Sequence, residues 1–222
     1  MLRTSLIGGC LSAAGLLAAT VHAGGWALVT LETVPHRLEA GTPASISFLV
    51  RQHGIHPMDG LNPVIEAASG TRLIKADAVP TGKTGQYSAS LKLDRPGDWT
   101  ITVRSGFGAS RLTLLPLTVV APGERPAAPS PVERGRQLFV GKGCVTCHRN
   151  DLRTDSTQAY VGPDLVPGKY RAEYLARALA NPAIIAPRAD SAFRMPNLGL
   201  TAAEIEPLVA YLNAPASTAA AR

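Results

Sequence analysis

Cysteine is nearly absent from this 222-residue chain: Cys10, Cys144 and Cys147 are its whole complement. After Cys147 there is no further cysteine and, beyond His148, no further histidine. A tetrahedral zinc site on Cys144 and Cys147 would need a second ligand pair, and none follows. Before position 121 the only cysteine is Cys10, so a blue-copper centre of the His and Cys type has no thiolate to use there. Long apolar runs are equally scarce, and only the opening residues hold one. Concentrated charge of one sign is missing too. The formal net charge of +6 divides as +1 over residues 1–23, +2 over 24–131 and +3 over 132–222. Nothing resembles the clustered basic face that nucleic-acid binding requires, which excludes that class of partner. No internal repeat is found.

The opening "MLRTSLIGGCLSAAGLLAATVHA" has one positive charge at Arg3, an apolar run and the small-residue ending Val21-His22-Ala23. Residues 1–23 therefore read as a secretory signal, with the mature chain starting near Gly24 and working in the periplasm. Lipidation at Cys10 is a weaker alternative, because too few uncharged residues precede it. Retention as an anchor is another, since Ser5 to Val21 falls just short of the ~20 apolar residues that span a bilayer. A membrane is a partner only in that uncut case. In an oxidising compartment the remaining pair, Cys144 and Cys147, needs a purpose.

The chain changes character at "APGERPAAPSP", residues 121–131, where four prolines and three alanines in eleven residues favour an extended spacer. Residues 24–120 show strand patterning. Ile46, Phe48 and Val50 alternate with Ser45, Ser47 and Leu49, as do Trp99, Ile101 and Val103 with Thr100, Thr102 and Arg104. "YSASLKL" keeps the same period through Tyr87, Ala89, Leu91 and Leu93, and "DRPGD" supplies a turn, so these residues and "WTITVR" are expected to pair as a hairpin. "WALVTLETV", "PVIEAAS", "TRLIKADAV" and "RLTLLPLTVV" bring the count to about seven strands, with Pro116 marking an edge or a bulge in the last. Seven short strands predict an immunoglobulin-like sandwich. Through "GQYSASLKLDRPGDWTITV" and "SFLVRQHGIHPMDGL" this half resembles the YtkA-like and FixH-like exported β-sandwich families. The resemblance implies a context of copper handling or respiratory-enzyme assembly.

His53, His56 and Met58 lie together in "HGIHPM". Imidazole and thioether suit copper, while a solvated loop between two strands explains the same residues. In the first case the protein handles copper or assists oxidase assembly. In the second the β domain docks or positions the other half.

"GKGCVTCHRN", residues 141–150, carries the sharper signal. C-x-x-C-H is the attachment signature of c-type haem: both thiols add to the porphyrin vinyl groups, and His148 is aimed at the iron from the same turn. A thioredoxin-like pair would need a surrounding βαβ pattern, which is absent. On "ERGRQLFVGKGC", the attachment motif and "VGPDL", residues 132–213 are similar to class I cytochromes c, an all-α fold. The resemblance implies one covalent haem c on Cys144 and Cys147, with His148 as one axial ligand and the Pro163 carbonyl accepting from it. A second-shell acceptor of this kind fixes the imidazole tautomer. Asp164 stands where the family usually has asparagine. Met195, in "FRMPNLGLTAAEIEPLVAYL", matches the family's Met-Pro loop as the other axial ligand. Thr201 and Glu204 form a capping box at the start of the helix that follows.

Helices are expected over 132–140, 170–180 and 201–212, with residues 214–222 as a tail, and the resemblance to class I cytochromes c implies that Gly135 stands at a close crossing against Tyr211. Arg153, Arg188 and Arg194 are candidate propionate partners. A histidine- and methionine-held iron has no open position, so the expected function is one-electron transfer with a redox partner protein or respiratory complex, not enzymatic turnover. An enzyme such as a peroxidase would require Met195 to leave the iron.

Overall fold

The computed structural model describes residues 25–150, 152, 154–165, 168–186 and 193–215. The expected export segment with Cys10, the residues Arg153 and Arg188, and the tail beyond Pro215 lie outside them.

The amino-terminal half forms two sheets. The first has the order β1 (Ala27–Leu31), β3 (Pro43–Gln52), β8 (Gln86–Lys92) and β7 (Val79–Pro80), with β4 (His56–Pro57) also on β3. The second runs β2 (Leu38–Glu39), β11 (Leu117–Val120), β9 (Gly97–Arg104), β5 (Val64–Ser69) and β6 (Arg72–Asp77), with β10 (Arg111–Thr113) also on β9. Every pairing is antiparallel except β2 with β11. The alternation seen in the sequence is the burial pattern: Ile46, Phe48 and Val50 from one sheet and Trp99, Ile101 and Val103 from the other are buried in one core.

The expected hairpin between "YSASLKL" and "WTITVR" is not formed. β8 pairs with β3 and β7, whereas β9 pairs with β5, β10 and β11. "DRPGD" therefore carries the chain from one sheet to the other. The bulge expected near Pro116 is present, because the register of the 111–120 segment against β9 slips by one residue between β10 and β11.

After an exposed stretch with no helix or strand, the chain enters α1 (Pro131–Gly141). Pro131, assigned to the spacer in the sequence reading, is the first helical residue. Its fixed φ suits that position and its missing N–H costs nothing there, and the Ser130 hydroxyl accepts from the Glu133 N–H at 3.2 Å. Next come α2 (Cys144–Cys147), α3 (Ala172–Ala180), a short 3-10 turn at Pro182–Ile184, and α4 (Ala202–Asn213). α1 and α4 cross at Gly135, where a β-carbon would fall 1.9 Å from the Pro207 carbonyl oxygen and 2.6 Å from the Tyr211 Cβ. Only glycine allows that approach.

The two halves share an interface. A β-carbon at Gly143 would fall 2.5 Å from the Val29 carbonyl oxygen, and one at Gly141 would fall 2.5 Å from a Val34 methyl. Residues 155–157 lie along β10. The Thr157 N–H donates to the Arg111 carbonyl at 2.9 Å, the Thr113 N–H donates to the Ser156 hydroxyl at 2.9 Å, and the Arg111 guanidinium pairs with the Asp155 carboxylate. These bonds occupy backbone groups that a bare strand edge would leave open. The Arg134 guanidinium donates to the Val34 carbonyl at 2.8 Å.

Lys142 makes the most buried of these links. Its side chain is 4% exposed, and its ammonium lies 2.7 Å from a Glu204 carboxylate oxygen and 2.7 Å from the Glu32 carbonyl oxygen. Glu204 also accepts from the Thr201 N–H at 3.0 Å, which ties the start of α4 to the same point. Burial works against ionisation of Glu204, but the bonds from Lys142 and from the Thr201 backbone outweigh it and hold the carboxyl below its usual range.

Candidate functional site

The motif cysteines sit where α1 ends and the chain turns sharply. Gly143 takes a left-handed conformation, with φ of 77°, and starts α2, which presents Cys144, Cys147 and then His148 to a single cavity. Before haem is attached, burial disfavours the thiolate of both. Burial, followed by the neighbouring Cys147, raises Cys144 to about 12, and burial raises Cys147 to about 11.

The His148 Nδ1 lies 2.9 Å from the Pro163 carbonyl oxygen. A carbonyl only accepts, so Nδ1 carries the proton and Nε2 holds the lone pair able to ligate a metal. Gly162 closes the other side of the ring: a β-carbon there would fall 2.6 Å from the imidazole Cε1 and 2.7 Å from Nδ1. The Gly162 N–H in turn donates to the Cys147 carbonyl at 2.9 Å, which ties this loop back to the motif. Pro163 stands out in the sequence, and Gly162 does not. Its sequence signal was only a glycine directly before that proline.

The cavity has a volume of about 560 Å³, within the range of cofactor sites. Besides the motif residues, its lining includes Phe139, Leu175, Leu179, Leu208 and, from the loop before α4, Met195. A planar apolar group bearing two thiol-reactive positions and a metal that takes an imidazole nitrogen suits this lining. The oriented imidazole and the Gly162 cradle fit a haem. Arg194 lines the cavity, the one arginine among the three propionate candidates that lies within the described residues.

His53, His56 and Met58 take different positions. The His53 ring packs edge-on against Trp26, with centroids 5.9 Å apart, and against Phe193 of the cavity wall at 6.1 Å. His56 is exposed in β4, while Met58 packs on the core and its carbonyl accepts from the Tyr87 hydroxyl at 2.8 Å. Among the described residues, no group of three His, Cys, Asp or Glu side chains is placed to hold a metal ion.

Residues 132–214 match the family model for cytochrome c. This assigns a cytochrome c domain to the carboxy-terminal half, and with it covalently bound haem c and a haem-based electron-transfer role. No curated protein matches the chain. Among solved structures, the chain is similar to domains 4 and 5 of the S-layer protein SbsC, with a TM-score of 0.31 and 14% identity over 42% of this chain and 51% of that one. A superoxide reductase (neelaredoxin) from Ignicoccus hospitalis gives a TM-score of 0.28 and 14% identity over 42% and 79%. The ZirS C-terminal domain gives 0.28 and 15% over 55% and 86%. Likenesses this distant carry no argument about the chain.

Proposed function

We propose that this protein is a periplasmic one-electron carrier, or the electron-entry subunit of a respiratory complex, exported by residues 1–23. Cys144 and Cys147 would hold one haem c covalently, and His148 and Met195 would ligate its iron. The observation that carries this reading is the Nδ1 bond of His148 to Pro163 at the wall of a cavity whose lining also includes both motif cysteines and Met195. When bound, the group supplies a one-electron iron couple, and a thioether ligand favours its ferrous state.

The chain's own residues do the rest. The Pro163 carbonyl holds the proton on Nδ1 and keeps Nε2 available as a ligand atom. Phe139, Leu175, Leu179 and Leu208 keep the lining apolar, which limits water and lowers the local dielectric. Ligation of the iron by both His148 and Met195 would leave no position for a substrate, which supports reading the protein as an electron-transfer protein and not an enzyme. The two facing sheets support reading the β domain as an immunoglobulin-like sandwich of the YtkA-like and FixH-like kind. The engagement of His53 with Trp26 and Phe193 favours docking over copper handling as its role.

The test is Met195→Ala in the haem-loaded protein. Wild type should resist carbon monoxide when ferrous and show the weak far-red charge-transfer band of a sulfur-ligated haem when ferric. The variant should lose the band, bind carbon monoxide and fall in potential. Ready carbon monoxide binding by wild type, unchanged on replacing Met195, would defeat this reading and favour an enzyme.

A further inference from the structure

The loop that carries Met195 is not held by the carboxy-terminal half alone. Phe193–Leu200 contains no helix or strand, and the turn between β3 and β4 packs against its first part. The Trp26 and Phe193 ring centroids are 6.1 Å apart, and His53 stands edge-on to both rings. A β-carbon at Gly54 would lie 3.6 Å from the Trp26 ring and 3.9 Å from the Pro196 Cγ, so the turn runs close to the residue after Met195. The His53 N–H donates to the Trp26 carbonyl at 3.0 Å, which locks the two aromatic positions together. His53 and Gly54 both have positive φ, of 51° and 82°, so the turn takes a specific shape to present this surface.

We propose that Trp26 and His53 are positioning residues for the sixth ligand: they buttress Phe193, two residues before Met195, and so set how firmly its thioether is held. This rests on the reading of Met195 as an axial ligand. The ligand-on and ligand-off states of such a loop are in equilibrium, and a contact made only in the held state shifts that equilibrium by its own strength. Losing one such aromatic contact corresponds to a roughly three- to tenfold larger off population. The β domain thereby acts on the redox centre without supplying a ligand to it.

The experiment uses the haem-loaded full chain as wild type, Trp26→Ala, Trp26→Phe and His53→Asn, with Met195→Ala as the limiting case. Asparagine tolerates the left-handed backbone, so His53→Asn removes the ring and keeps the turn even if Trp26→Ala folds poorly. The readouts are the rate of imidazole binding to ferric protein, the thermal loss of the far-red band, the reduction potential, and far-ultraviolet circular dichroism. Trp26→Ala and His53→Asn should bind imidazole roughly three to ten times faster, lose the band well below the temperature at which secondary structure melts, and have lower potentials. Trp26→Phe should restore all three. If wild type shows the band while imidazole rates and potentials in both variants match it, the proposal is overturned, even if their melting temperatures drop. If wild type shows no band, the axial reading of Met195 falls and takes the proposal with it.

Discussion

Gly162 lies so close to His148 that a β-carbon would come within 2.6 Å of the imidazole Cε1, on the ring whose Nδ1 is bonded to Pro163. Either the ring or the loop must move if the methyl is added. Gly162→Ala should therefore destabilise the protein by about 1–3 kcal/mol, the usual range for overpacking. It should also shift the haem absorption spectrum and the reduction potential by turning the imidazole. A spectrum and potential identical to wild type would show that the ring orientation does not depend on this contact.

Cys144 and Cys147 line the cavity beside His148. Thioether bonds do not dissociate, so the intact mass of the mature protein should exceed the polypeptide by one haem after extraction with acid and organic solvent. Replacing both cysteines by serine should abolish that added mass. Haem that extracts freely from wild type would exclude covalent attachment.

The Lys142–Glu204 pair should give the fold an acid limit. Glu204 has its folded pKa below the ordinary 4.5, so its contribution is complete above that value and is lost as pH falls through the folded pKa. Denaturant titrations should show stability dropping as the solution is acidified below about pH 4.5, with a shallower fall in Glu204→Gln. Lys142→Ala leaves a largely buried carboxylate without its cation and should cost about 3–5 kcal/mol at neutral pH. A loss below ~1 kcal/mol, as expected of a surface pair, would mean that water replaces the ammonium.

Limited proteolysis should cut in the exposed stretch between Ala121 and Ser130. The bonds of Arg134 to Val34, Lys142 to Glu32 and Thr157 to Arg111 cross the interface. The two fragments should therefore co-elute at high concentration and separate on dilution. A haem-bearing fragment that elutes alone at every concentration would show that these bonds are too weak to hold the halves together.

Much of this was legible in the sequence because it is local. Period-two alternation places Ile46, Phe48 and Val50 in the core, and the resemblance to class I cytochromes c puts Gly135 at the crossing of α1 and α4. The same resemblance, carried by "VGPDL", pairs His148 with Pro163, and their atoms are bonded. What escaped depends on long-range partners. "DRPGD" has turn chemistry whether the chain returns beside its own strand or passes to the facing sheet, so the hairpin was misassigned. Lys142 looks like any lysine after a helix until Glu32 and Glu204 converge on it. His53 belongs by sequence to a metal-like cluster, and only the docked fold brings it to Phe193.

The tether between Val120 and Pro131 has a further consequence for how strong that interface needs to be. A short linker makes its association intramolecular, with an effective concentration in the millimolar range when it spans the gap without strain. Hydrogen bonds worth about 1 kcal/mol each then suffice to keep the surface closed. An opening event leaves both pieces within reach, so reclosure is fast and independent of protein concentration. The proline-rich stretch thus lets a modest, reversible contact behave as a permanent one.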